Sequence, residues 1–382
     1  MRILIAPDKF KGSLGARDVA ECIAAGFRDV LPDATIEIVA VADGGEGTAD
    51  VISQTCVGEW VNCKAHDALG RAITARYFWL REKPIAVMEM SEASGMWRVA
   101  PDERDPLRAD TFGVGEMLKD AASRGAKETL IGLGGSATND GGFGMARALG
   151  FRFFDEDTEL ISGPDELQNL TKIVRPDVEA LMPSAFSSGG RLTQPPLHLI
   201  AAVDVRNPLL GEQGATRTFG LQKGGTPEQL EILERGLARL ADVVARDLGC
   251  DFREAPGAGA AGGLGFGLMS FCGAQVRSGF EVVAEFIDLE AAIQRADVVI
   301  TGEGSLDRQT LEGKAPAGVA RIARKQGKRV FGIAGVATGD PTVLEVFDGV
   351  FPLVTPSTSR EEAMARTAEL LRDRARELAA IL

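Results

Sequence analysis

Residues 132–144 read GLGGSATNDGGFG, and no other stretch limits the possible folds of the chain as tightly. The apolar run KETLIGL at 127–133 leads into it, and a helical run through Met145, Ala146 and Leu149 leaves it. A strand that breaks into a loop and restarts as a helix is a unit of α/β architecture. Six glycines in thirteen residues free the backbone to take positive φ and to approach a ligand closely. The first turn of the helix would offer N–H groups and a positive dipole end, which suit an anion. Ser136, Thr138, Asn139 and Asp140 add short polar side chains at the same place. Binding of a phosphate or carboxylate is therefore expected here. The plainer alternative is a tight turn in which Asn139 or Asp140 caps the helix.

Both ends of the chain repeat this rhythm. RILIA (2–6) is followed at once by Asp8, Lys9, Phe10, Lys11, Gly12 and Ser13. Val19, Ala20, Ile23 and Phe27 then recur at helical spacing up to Pro32. The alternating run 35–41 leads into DGGEGT at 43–48. Near the other end ADVVITG (296–302), KRVFGIAG (328–335) and DGVFPLV (348–354) read as strands. Helices are expected between them at 315–326 and 340–346, with a closing helix at 360–381. Five strands joined by helices predict a parallel sheet, with the loops at 8–13 and 43–48 at the carboxyl edge where ligands bind.

The middle differs. Segments 58–64, 72–79 and 84–90 read as consecutive strands with a turn at Ala68-Leu69-Gly70, which predicts hairpins in a different sheet. A helix carrying Val114, Met117, Leu118 and Ala121 precedes the central strand. Residues 155–196 are poorly periodic and predict surface excursions. HLIAAVDV (198–205) reads as a buried strand reaching Asp204, and a helix follows over 227–247. The pattern predicts one α/β domain built from 1–57 and 289–382 with a second α/β domain, 58–288, inserted into it.

A net charge of −13 argues against nucleic acid or an anionic membrane as partner. An anionic substrate must then be held by locally placed cations and backbone N–H groups. The five cysteines are odd in number and lack CxxC spacing, which argues against a zinc site or a disulfide framework. With no run of about 18 apolar residues, the expected location is the cytoplasm. Glycine is enriched, 46 residues where average usage would give roughly 27, with much of the excess in loops after apolar runs.

GAGAAG at 257–262 matches G-x-G-x-x-G by letter, yet follows DFREAP and no strand, so a dinucleotide fingerprint is rejected. Close backbone packing and an anion site both remain open there. No GxxxxGK[ST] occurs, which excludes a P-loop. Carboxylates recur at strand ends: Asp8, Asp43, Asp204, Glu303 and Asp307. One such Asp is commonly a helix cap, but several beside Lys9, Lys11 and a glycine loop form the mixture that phosphoryl transfer needs. His66 and His198 lack a Ser or Cys partner for a nucleophilic triad, and Trp60, Tyr77 and Trp79 read as sheet or core residues.

Six segments together carry a family likeness. APDKFKGSL (6–14), ADGGEGT (42–48), GLGGSATNDGG (132–142), DVRNPLLGEQGA (204–215), PGAGAAGGLG (256–265) and TGEGSLDRQTLEGKAP (301–316) resemble the bacterial type-1 glycerate kinases, in the family's order. Departures are small: FGLQKGG at 219–225 has Leu221 and Gly225 where Pro and Ala are usual, and Val203 stands where Cys is frequent.

The resemblance implies ATP-dependent, Mg²⁺-assisted phosphorylation of D-glycerate, usually at the 2-hydroxyl. It also implies a flavodoxin-like domain from both chain ends, a second α/β domain inserted, and a site in the cleft between them. On this reading Asp43 or Asp204 accepts the proton of the hydroxyl. Lys9, Lys11 and Lys223 offset charge on the carboxylate and phosphates, and Asp8, Asn139 and Asp140 contact substrate. Gly134, Gly135, Ser136 and Asn139 cradle phosphate, with Gly259 and Gly262 as further phosphate positions. Glu303 and Asp307 are Mg²⁺ ligands or hydroxyl contacts. The residues leave open a glycerate 3-kinase, a kinase of another small hydroxy acid, and a sugar-acid-binding sensor without turnover. They do not indicate an oligomeric state.

Overall fold

The computed structural model describes residues 1–176, 197–311 and 314–382, and the chain divides into two compact units. The first comprises residues 1–43, 50–56 and 278–382, and the second 44–49 and 57–277. The expectation for residues 177–196 lies outside the described residues.

In the first unit five parallel strands lie in the order Thr35–Ile38, Arg2–Ile5, Val298–Leu306, Arg329–Ala337, Gly349–Pro352. Counted along the unit this is 2-1-3-4-5, the order of a flavodoxin-type sheet. Its three inner strands pass through Ile3, Ile5, Val298, Ile300 and Ile333, all buried, as expected of a sheet covered on both faces. The helix Ala16–Val30 turns Val19, Ile23 and Phe27 inward and packs on Thr367–Ala379. Their contact is close because a Cβ at Gly26 would stand 2.3 Å from the Arg372 carbonyl oxygen. The closing helix is two, Arg360–Ala365 and Thr367–Ala379. Thr367 Oγ1 donates to the Ala363 carbonyl at 2.7 Å, and Ser13 Oγ lies at the same distance from Thr367 Oγ1.

The second unit holds a six-stranded mixed sheet. Its order is Gln275–Ser278, His198–Val203, Glu128–Gly132, Ile85–Glu89, Ala72–Leu80, Gly58–His66. The last three pair antiparallel as the hairpin reading expects, while His198–Val203, Glu128–Gly132 and Ile85–Glu89 run parallel. A small antiparallel sheet of Arg152–Asp155, Thr158–Glu159 and Lys172–Val174 occupies part of the segment read as irregular. Strands of two to four residues carry too little alternation to be recognised, yet Phe153 is fully buried against Phe143 with ring centroids 4.8 Å apart.

Residues 44–49 belong with the second unit because Glu89 holds them. Its Oε2 accepts the Gly47 N–H at 3.0 Å and its Oε1 the Ala49 N–H at 2.8 Å. Residues 279–286 form a helix of the first unit, and the Phe280 ring lies where a Cβ at Gly318 would be.

Candidate active site

In the first unit, acids collect at the carboxyl ends of the parallel strands. Asp8 follows Arg2–Ile5 and donates its N–H to the Gly302 carbonyl at 2.8 Å, while its Oδ1 accepts the Lys9 N–H at 2.6 Å. The chain then turns back through Gly12, at φ 79°, with the Phe10 N–H on the Leu14 carbonyl. Lys11 is exposed on this turn, and a Cβ at Gly304 would come within 3.6 Å of its backbone nitrogen. Asp8 is only 5% exposed; burial and the like charges of Asp43 and Glu303 push its carboxyl up to about 8, while Lys9 opposes this. Burial also raises Glu303 to about 7, against Lys314, whose Nζ lies 3.5 Å from Oε2, and Thr310, whose Oγ1 donates to Oε1 at 2.9 Å. Asp307 closes the same turn, donating its N–H to Thr310 Oγ1 at 3.0 Å and accepting Ser305 Oγ at 3.1 Å. Asp8, Asp43, Glu303 and Lys9 thus act on one another electrostatically.

In the second unit the glycine stretch is fixed on several sides. Gly132 and Gly134 lie against the backbone of Gly44 and Gly45, where any Cβ would stand 2.6 or 2.7 Å from it. Gly135 takes φ 66°, its carbonyl accepts the Met96 N–H, and Ala137 donates to the Ser94 carbonyl. From behind, Gly262 presses on Thr138 so tightly that a Cβ would fall 1.9 Å from the Thr138 oxygen. Gly259 is covered likewise by the Pro208 carbonyl. Close backbone packing is thus what these two glycines make possible.

The helix that follows, Phe143–Ala148, differs from expectation. Its first N–H groups are already engaged: Phe143 on the Asp140 carbonyl, Gly144 on the Asp140 carboxylate, Met145 on Thr111 Oγ1 and Ala146 on the Gly142 carbonyl. An anion therefore finds no free donor at this helix start. Asp140 is fully buried and accepts from the N–H groups of Thr111, Gly142 and Gly144 and from Thr111 Oγ1, at 2.7–3.1 Å. Burial raises its carboxyl and these four donors hold it down.

Free donors lie earlier in the loop. The backbone N–H groups of Gly134, Gly135 and Asn139 meet no acceptor among the described residues. Asn139 Nδ2 donates to Thr216 Oγ1 at 3.0 Å, while Asn139 Oδ1 and Thr138 Oγ1 are buried without a partner among the described residues. Ser136 is buried beside them. Lys223 is also buried, its Nζ donating to the Thr138 carbonyl at 2.7 Å, and burial lowers it to about 7 although Asp140 opposes the shift. Asp204 is exposed one residue past His198–Val203, whose Ala202 carbonyl accepts the Leu133 N–H at the mouth of the loop.

Sequence reasoning passed over Glu89, Thr111, Thr310 and Lys314. Glu89 was visible as an acid ending an apolar strand, the signal by which Asp8 and Asp43 stand out. Thr111 has no local signal, since its partner Asp140 is brought up by the fold, while Thr310 and Lys314 act on Glu303 within one segment whose turn sets their distance.

A model of the glycerate kinase family matches residues 3–382. The chain belongs to this family. It is 40% identical to "Glycerate kinase" of Bacillus subtilis (strain 168), over 100% of this chain and 97% of that one. It is equally identical to "Glycerate 2-kinase" of Escherichia coli (strain K12), over 100% and 98%. A crystal structure assigned as glycerate kinase 2 from Salmonella typhimurium LT2 superposes with TM-score 0.82 at 41% identity, covering 100% of this chain and 98% of its own. As a member of the glycerate kinase family the chain is a phosphotransferase with an alcohol acceptor, and a kinase takes its phosphoryl group from ATP.

Among the described residues no three His, Cys, Asp or Glu side chains form a ready metal cage. Mg²⁺ in phosphoryl-transfer enzymes needs less, commonly one or two carboxylates with waters and substrate phosphates. The hard oxygen donors of Asp8, Asp43 and Glu303, two of them raised by burial and then by their neighbours' charge, fit that demand. No helix among the described residues is long and apolar enough to cross a membrane.

Proposed function

We propose that this kinase transfers the γ-phosphoryl group of ATP in line to the 2-hydroxyl of D-glycerate, giving 2-phospho-D-glycerate with Mg²⁺ assistance. The observation that carries the reading is the gathering of Asp8, Asp43 and Glu303 beside Lys9 at the strand ends of the first unit. Phosphoryl transfer asks for a carboxylate to take the hydroxyl proton and for fixed charge around the moving group. Burial and the charges of Asp43 and Glu303 keep a proton on Asp8 near neutral pH, so Asp43 is assigned as base, with Asp204 as the alternative. Lys9 and Lys11 offset the charge of the substrate carboxylate and the phosphates.

The N–H groups of Gly134, Gly135 and Asn139, with Ser136, receive a phosphate. Lys223 supports that loop through the Thr138 carbonyl, Asp140 anchors it through Thr111, and Gly259 and Gly262 shape it from behind. When bound, Mg²⁺ would offset phosphate charge, held by Glu303 with Asp307. Support for the 2-hydroxyl comes from the Escherichia coli relative named a 2-kinase.

The test pairs two variants with identification of the product. Asp43→Asn is expected to lower kcat by about 10² or more, with Asp204→Asn much milder. The reverse order would move the base to Asp204. ³¹P NMR of the product should give 2-phosphoglycerate, and 3-phosphoglycerate would overturn the regiochemistry.

A further inference from the structure

A cavity of about 280 Å³ in the second unit lies outside every residue assigned above. His66, at the end of Gly58–His66, and Phe112, at the start of Phe112–Ser123, form part of its wall, with Arg108, Asp110, Arg147 and Ser162 around them. Arg147 is pre-positioned: its guanidinium sits over the rings of Phe143 and Phe112, at 5.1 and 5.6 Å, and 3.4 Å from Asp110 Oδ2. Stacking of this kind holds a guanidinium in place without consuming its donors. Arg108 is exposed, and its side chain has no ion pair or hydrogen bond among the described residues.

One carboxylate faces these two cations. Asp110 already accepts the Phe112 N–H at 2.9 Å, and burial with the nearby charges of Asp140 and Glu116 raises it to about 6 against Arg147. Glu116 is engaged with His66, both of its oxygens lying 3.0 Å from Nδ1. A half-open space with two guanidiniums, one of them unpaired among the described residues, an aromatic wall and the Asp110 carboxylate, which pairs with Arg147, suits a small anion.

We infer that this cavity binds a small metabolite through a carboxylate or phosphate group held between Arg108 and Arg147. The site is connected to the glycine loop, because Thr111, between Asp110 and Phe112, holds the Asp140 carboxylate that anchors the loop.

The chain has only two histidines, so ring NMR gives a local reporter, His66, and an internal control, His198. Inorganic phosphate and D-glycerate are titrated separately into the full-length protein at constant pH and ionic strength. The inference expects a saturable shift of His66 with at least one of them and no parallel shift of His198; which probe saturates tells phosphate from carboxylate. Arg108→Ala, at an exposed position that leaves the fold intact, should weaken that response about fivefold or more. Linear drift of both histidines overturns the inference. So does a saturable curve that Arg108→Ala leaves unchanged, as binding at the glycine loop alone would give.

Discussion

Asp8 behaves unlike an ordinary aspartate because water is excluded and two acids face it. Its carboxyl moves from 3.8 to about 8, so between those values the folded chain keeps a proton that the unfolded chain has released. Stability therefore falls as pH rises through that window. Asp8→Asn removes this liability. Its Tm relative to the parent should rise between pH 5 and pH 8, by about 2 °C or more, and an offset that stays flat with pH would contradict the assignment. Scanning calorimetry at the two pH values measures it. Asp8 was legible as a strand-end acid, but its protonation was not, because the burial that chiefly causes it and the charges of Asp43 and Glu303 that add to it are set by the fold. Asp140 was legible both as a ligand contact and as a cap, and its four internal donors match the second reading.

Single elements depend on contacts that no local pattern announces. The start of Phe143–Ala148 is completed by Thr111, whose Oγ1 donates to Asp140 at 2.7 Å and accepts the Met145 N–H at 2.9 Å. Thr111→Val keeps the shape and deletes both bonds, leaving a buried donor unpaired. Urea unfolding should register a loss of about 1–3 kcal/mol, and no loss would mean the network is not holding the loop. Gly262 sits at φ 70° against the Thr138 carbonyl, so Gly262→Ala should cost about 2 kcal/mol or more and weaken phosphate binding at the loop. A variant with parental stability would remove the packing role. The long strands and helices were readable because their apolar periodicity runs for several residues. The GAGAAG turn left two readings open, since glycine permits both close backbone packing and ligand approach.

For the whole molecule, alternation of strands and helices at the two chain ends and hairpin spacing in the middle foretold two different sheets. What the pattern did not foretell is that residues 44–49 fold with the second unit, a choice made by two hydrogen bonds to Glu89. With a net charge of −13 the overall field does not attract an anionic substrate, and the proposed mechanism gives that task to local groups, Lys9, Lys11 and the open N–H groups of the glycine loop. The most direct measurement is a coupled assay of ADP release with ATP and Mg²⁺, in the presence and absence of D-glycerate. ADP formation that depends on glycerate and matches phosphoglycerate mole for mole is the predicted result. Folded protein that releases no glycerate-dependent ADP would contradict the account.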